Sequence, residues 1–180
     1  MQIKIKALTL NRLFTTIAYN SGDEVSLEGL SKSSGVAKNT IKKYLESALL
    51  IRRIHRIDKT ARRFERATTF KVYLTNPSMR AALFGPVNRS SDAMGSLTET
   101  AIFSQWFHET VFVDNLHYAR WKNGEVDIVA CEKSSQKPSW VVEVKWSDKP
   151  FANPGELISL VEFIQKNNME IEPLVTICPK

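Results

Sequence analysis

The sequence predicts an α/β protein in two parts: a basic, largely helical domain over residues 1–88 and a mixed sheet under helical cover over residues 89–180. Two observations carry this division. Apolar residues recur at helical spacing through the N-terminal half, whereas the C-terminal half holds alternating or continuous apolar runs bounded by turn residues. Charge divides in the same way: residues 1–90 contain 17 Lys and Arg against 6 Asp and Glu, and residues 91–180 contain 8 against 13. A basic half suits a polyanionic partner, while clustered carboxylates suit a bound metal ion better than direct contact with phosphate. Between them, "GPVNRSSDAMG" at 85–95 gathers Gly, Pro, Ser and Asn into a joint.

The first part opens with a helix whose apolar positions are Leu8, Leu10, Leu13, Phe14, Ile17 and Ala18, stopped by "NSGD". Ser26 is placed to cap a second helix with Leu27 and Leu30 inward, and Gly35 supplies the tight turn after it. A third helix opens near Ala37. Its stripe is Ile41, Tyr44, Leu45, Ala48 and Leu49, and Lys38, Asn39, Thr40, Lys42 and Lys43 crowd the outward N-terminal side.

Two strands follow, "LLIRRIHRI" and "TFKVYLTNP", around a segment in which Arg52, Arg53, Arg56, Lys59, Arg62, Arg63, Arg66 and Lys71 surround Phe64. Three helices, a glycine turn and two strands make a winged helix-turn-helix pattern, in which the third helix reads a groove and the wing meets phosphates. The expected DNA-binding residues are therefore Lys38, Asn39, Thr40, Lys42 and Lys43 on the helix, with Arg62, Arg63 and Arg66 on the wing. Docking on a protein is the alternative use of the same surface, since exposed Lys and Arg are often simply solvated. His55 lies beside the wing with no partner that suggests catalysis.

In the second part, "MGSLTETAIFSQWFHET" reads as a helix with one early carboxylate, Glu99. A strand in "VFVDNLHYARW" leads through a hairpin turn at Asn123 and Gly124 into "EVDIVACE". Strict alternation puts Glu125, Asp127 and Val129 on one face and Val126, Ile128 and Ala130 on the other. "WVVEVKW" then places Trp140, Val142, Val144 and Trp146 on one face and Val141, Glu143 and Lys145 opposite. Sequential strands tend to pair, so Asp127 is expected to meet Glu143 and Lys145 on one face. "GELISLVEFIQKNN" and "EPLVTIC" add a helix and a last strand. His108 and His117 lie among apolar residues and read as structural; Cys131 and Cys178 stand singly in strand-like runs and read as reduced core residues.

Two neighbouring carboxylates repel unless a cation lies between them. A hard divalent ion, Mg²⁺ or Mn²⁺, answers this. Mg²⁺ binds through one or two carboxylates plus substrate phosphate, and water on such an ion can attack phosphorus. Lys145 starts near a pKa of about 10.4, and neighbouring acids favour its charged form, so it suits charge stabilisation better than base catalysis. Glu99 is placed to complete the metal shell directly or through water.

Glu99 on a helix, Asp127 in "GEVDIV" and Glu143-Val144-Lys145 together resemble the PD-(D/E)XK nuclease superfamily. That resemblance implies a restriction-endonuclease-like mixed sheet flanked by helices, and a metal-dependent deoxyribonuclease or resolvase site. Its catalytic residues would be Glu99, Asp127, Glu143 and Lys145, and its metal ligands Asp127, Glu143 and Glu99. "KVYLTNP", "GSLTE", "YARWKNGEVDIV" and "VVEVKWSD" are similar to the C-terminal region, a domain of unknown function, of prokaryotic AAA+ ATPases. The motif G-x-x-x-x-G-K-S/T is absent. A C-terminal part or a free-standing relative of such an ATPase is thus expected, with the ATPase module in cis or in trans as a partner. The superfamily's proline is also missing before Asp127, where Val126 stands.

DNA, branched forms included, is the expected substrate, and the dimers of related resolvases imply a homodimer. The competing function is an inactive nuclease-like module that binds DNA or protein and regulates an ATPase. No apolar run reaches the roughly 18 residues of a membrane span, and "MQIKIKALTLNRLF" lacks signal-peptide order, so a cytoplasmic location without membrane partners is expected.

Overall fold

The computed structural model describes residues 2–63, 68–109, 114–170 and 173–177. The fold is mixed α/β, with a seven-stranded, mostly antiparallel open sheet in the order β1-β3-β2-β4-β5-β6-β7. Contacts divide the chain into two compact units. One comprises residues 1–53 and 68–105, the other residues 54–67 and 106–180. The helix bearing Glu99 thus folds with the N-terminal half up to residue 105, while the end of the second strand and the loop after it fold with the C-terminal half.

The first unit contains α1 (Gln2–Tyr19), β1 (Glu24–Ser26), α2 (Leu27–Ser34), α3 (Lys38–Ser47), the start of β2 (Ile51–Ile57), β3 (Thr69–Leu74), α4 (Ser78–Phe84) and most of α5 (Ala93–Trp106). Local chemistry sets the helix ends. Ser26 caps α2, its hydroxyl accepting from the Gly29 amide at 2.9 Å. Gly35 closes the helix in the left-handed region, φ 74°, and donates to the Ser31 carbonyl at 2.9 Å. The core gathers Leu13, Ile17, Leu30, Ile41, Leu45, Phe70, Val72 and Leu74. Burial of Ile41 and Leu45 turns the polar side of α3 outward, where Lys38, Asn39, Thr40, Lys42 and Lys43 are all exposed. Helix α4 is absent from the sequence expectation. It starts at an Asn76 side chain that accepts from the Ser78 amide at 2.9 Å, and none of its residues is buried, so it carries no periodic signal.

The second unit holds the end of β2, β4 (Leu116–Trp121), β5 (Gly124–Cys131), β6 (Pro138–Lys145), α6 (Lys149–Ala152), a 3₁₀ turn (Pro154–Leu157), α7 (Ile158–Lys166) and β7 (Leu174–Ile177). β4, β5 and β6 form an antiparallel meander. β7 returns parallel to β6 after α7, with Val142 opposite Leu174 and Glu143 opposite Val175. Leu160 and Phe163 of α7 share a core with Ala119, Val126, Val129 and Val141.

Two sequence expectations change here. Alternation along β5 breaks: His117 pairs with Val129 but Ala119 pairs with Val126, leaving Tyr118 opposite both Asp127 and Ile128. This is a β-bulge, and it brings Val126 and Val129 into the same core. The β4–β5 hairpin forms as expected, but its loop is Lys122-Asn123, closed by the Trp121–Gly124 pair. None of these residues has positive φ. Glycine is needed for space instead: a Cβ at 124 would lie 2.3 Å from Trp121 Cζ2 and 2.7 Å from Ser159 Oγ. Gly124→Ala should therefore destabilise the protein by about 1–3 kcal/mol through overpacking, with Trp121 displaced. Chemical denaturation checks this; an unchanged midpoint would mean that the Trp121 ring yields without cost.

Candidate active site

The site grows from the β5–β6 pairing. Ile128 lies opposite Val142, Val129 opposite Val141 and Ala130 opposite Trp140. One step further along the antiparallel ladder, Asp127 comes beside Glu143. The bulge falls on this residue, and its carboxylate turns to the neighbouring strand: Asp127 Oδ2 accepts from the Val144 amide at 2.8 Å. Glu143 and Lys145, two residues apart on one face of β6, meet directly, with Lys145 Nζ 2.7 Å from Glu143 Oε1.

Burial sets the electrostatics. The face that carries Val141, Glu143 and Lys145 is covered rather than open, with Val141 in the core beneath α7 and Glu143 only 6% exposed. Glu143 Oε2 is buried and has no hydrogen-bond partner among the described residues. Burial raises the Glu143 pKa to about 7, and the charge of Asp127 adds to this; the Lys145 hydrogen bond and charge pull the other way without cancelling it. For Lys145, burial disfavours the cation, but the hydrogen bond to Glu143 and the charges of Glu143, Asp127 and Glu156 outweigh it and raise the pKa. Lys145 therefore stays protonated, which suits a charge stabiliser and not a base.

The structure thus brings Asp127, Glu143 and Lys145 together within the second unit. Glu99 belongs to the first. There its carboxylate is buried, with Oε1 accepting from Lys71 Nζ at 2.8 Å and from the Tyr73 hydroxyl, and Tyr73 stacks on Phe103 at 4.1 Å between ring centres. Lys71, counted by sequence among the cations of the wing, is 5% exposed and serves this buried ion pair. Buried charges need such partners, and nothing in the local sequence announces which partner is chosen.

Glu156 is a residue that sequence reasoning did not single out. It lies on the exposed 3₁₀ turn, where the Asn153 side chain caps the Gly155 amide, and its charge acts on Lys145. By sequence Glu156 falls at the start of the helix in "GELISLVEFIQKNN", and nothing in that pattern signals its proximity to β6. His117 is fully buried, with Nδ1 2.9 Å from the Asn115 carbonyl, and burial lowers its pKa to about 4, so it is neutral and structural as expected. Cys131 is a buried free thiol whose pKa burial raises to about 11. Cys178 lies outside the described residues.

Of the expected DNA-binding residues, the five on α3 are exposed, and Lys38 is paired with Glu28 of α2. Arg62 and Arg63 are exposed in the loop after β2, where the Asp58 carboxylate accepts from the Thr60 and Arg62 amides at 2.7 and 3.0 Å. Arg66 lies outside the described residues. Lys59 is held by Glu162 at 2.5 Å, and the Arg56 guanidinium donates to the Arg120 carbonyl at 3.0 Å.

A family model described as "Domain of unknown function (DUF8612)" matches residues 1–90. The chain belongs to the DUF8612 family. The DUF8612 match runs from α1 through α4 and includes the basic face of α3 and the loop after β2. No curated protein and no solved structure matches the chain. No helix among the described residues is long and apolar enough to cross a membrane.

Glu143 makes stability depend on pH with a defined sign. Its pKa is raised from 4.5 to about 7, so between these values the folded chain keeps a proton that the unfolded chain has lost. Its contribution is full below about pH 4.5 and is lost as the pH rises through about 7. Melting temperatures measured across this window should fall more steeply for the wild type than for Glu143→Gln. Parallel profiles would mean that Glu143 ionises at its ordinary pKa.

Proposed function

We infer that the chain is a metal-dependent DNA hydrolase of PD-(D/E)XK type, with a winged helix as its DNA-contacting part. One observation carries this reading: Glu143 holds a buried carboxylate oxygen beside Asp127 that is unpartnered among the described residues, with Lys145 on its other oxygen. An anion arranged in this way has affinity for a further cation. Oxygen donors from two carboxylates next to a lysine fit Mg²⁺ or Mn²⁺, whereas a soft ion would call for thiolate or imidazole.

Asp127 and Glu143 would hold the ion, which when bound supplies an acidified water and Lewis-acid stabilisation at phosphorus. Asp127 is oriented by the Val144 amide, so its free rotation is already spent. Lys145, kept cationic by its acidic neighbours, compensates the charge that builds on the phosphoryl oxygens. Glu99 has no part in this reading, since it folds with the first unit and Lys71 and Tyr73 already engage its Oε1. The order α1, β1, α2, α3, β2, β3 supports the winged-helix reading, in which the outward cations of α3 and of the loop after β2 would supply the phosphate contacts. DNA, branched forms included, is the proposed substrate, and an AAA+ ATPase module is the proposed partner.

A second reading draws on the engagement of Glu99: a nuclease-like module without cleavage that binds DNA or protein for an ATPase. The deciding assay incubates supercoiled, linear and four-way branched DNA with the protein in Mg²⁺ or Mn²⁺. Cleavage should appear and fall about 10²-fold or more in Asp127→Asn and in Lys145→Ala; no activity above these variants on any substrate overturns the enzyme. A separate titration tests the basic surface. Replacing Lys42, Lys43, Arg62 and Arg63 by Ala should weaken DNA binding and reduce its log–log salt slope by about 0.9 for each phosphate that the protein no longer neutralises, and an unchanged slope would reassign this surface to protein docking.

A further inference from the structure

A polar cavity lies in the second unit and involves none of Asp127, Glu143 and Lys145. Its volume is about 870 Å³, and three segments remote in sequence enclose it: the loop at 60–63, the β5–β6 turn at 132–139, and the chain after α7 at 166–170. Four cations line it, Arg62, Arg63, Lys137 and Lys166. None of the four side chains forms a direct ion pair with a carboxylate among the described residues, although the charge of Arg62 acts on Asp58, whereas Lys59 in the same loop is paired with Glu162. Four cations against two carboxylates, Glu132 and Glu170, at a concave surface make a site of net positive potential, and the low-dielectric walls concentrate it.

The backbone around this cavity is unusual in one respect. Ala61, Gln136 and Asn168, at φ 59°, 57° and 49°, are the non-glycine residues with positive φ among the described residues, and all three line it. Each comes from a different one of the three segments. Left-handed backbone is disfavoured for side chains with a Cβ, and such residues persist where the surrounding structure holds them. Asn167 is one source of that hold: its amide donates to the Lys59 carbonyl at 3.0 Å and to the Phe163 carbonyl at 2.8 Å, tying the end of α7 to the 58–63 loop. The cavity is therefore built by fixed chain and not left by a loose surface.

Size and composition narrow the ligand. About 870 Å³ is within the usual range of small-molecule sites and far exceeds a bare phosphate. Two carboxylates, Glu132 and Glu170, line the same space, and Glu132 is already held by the Ser135 hydroxyl at 2.7 Å. A ligand that satisfies both sets carries phosphate for the cations and hydroxyl or amino donors for the acids. We propose that this cavity binds a nucleoside phosphate, either as a free nucleotide or as the phosphorylated end of a nucleic-acid strand. The inference goes beyond the hydrolase and needs neither a metal ion nor cleavage.

The test is titration of the full chain with inorganic phosphate, with adenosine 5′-monophosphate, and with a short single-stranded oligonucleotide with or without a 5′-phosphate, followed by calorimetry. Lys137→Ala/Lys166→Ala is the probe variant, because neither lysine belongs to the proposed DNA face, and both are exposed enough to leave folding intact. Mononucleotide binding that weakens about tenfold or more in the variant assigns a free nucleotide. Binding confined to the 5′-phosphorylated strand, with the same loss, assigns a strand end. Lys137→Arg/Lys166→Arg should restore either. The proposal is overturned by no binding of any nucleoside phosphate, by affinity indifferent to the Ala variant, or by inorganic phosphate binding as tightly as the nucleotide. DNA cleavage that survives in the Ala variant keeps the hydrolase reading separate from this outcome.

Discussion

A carboxylate buried within a sheet must find compensation, and in this protein Glu143 finds it on one side only. Lys145 takes Oε1, Oε2 stays buried without a hydrogen bond from the described residues, and Asp127 adds a second negative charge nearby. Much of the second unit's local structure serves this arrangement. The bulge at Asp127–Ile128 reorients Asp127, the Val144 amide anchors it, and α7 covers the same face through Leu160 and Phe163. An arrangement of this kind is costly, since desolvation of an ion is repaid only by close partners. The unsatisfied oxygen is what a purely structural ion pair would lack.

The first unit handles its own buried acid differently. Glu99 has both a cation and a hydroxyl on one oxygen, from Lys71 and Tyr73, and the Tyr73 ring stacks on Phe103. Around it, Ser21 and Thr100 share a buried hydroxyl contact at 2.9 Å. This is a network that fixes β3 against α5. In the same unit, burial of Ile41 and Leu45 leaves α3 with a cationic outward face, so stability and charge display come from the two sides of one short helix.

Much of the local structure was legible in the residues. Ser26 and Gly35 announce the ends of α2 because capping depends on near neighbours, and the apolar runs of β5 and β6 announce a pairing that brings Asp127 to Glu143. Other features were not legible. Helix α4 buries nothing and therefore shows no period; the bulge depends on which β4 residue meets β5; and Asn123-Gly124 forms a hairpin whose glycine makes room for Trp121 instead of adopting positive φ. Lys71 reads as one more basic residue until its burial against Glu99 is seen.

By itself the sequence determined the alternation of helices and strands, the separation of basic and acidic halves, and the placement of Glu143 and Lys145 on one face of β6, because these follow from periods of two and 3.6 residues and from composition. Tertiary structure alone decided that Glu143 is buried with one oxygen unpartnered, that Glu99 is bound to Lys71 and Tyr73, and that cations from three distant segments surround one cavity. Burial and long-range pairing are properties of what lies across the fold from a residue. No local pattern encodes them.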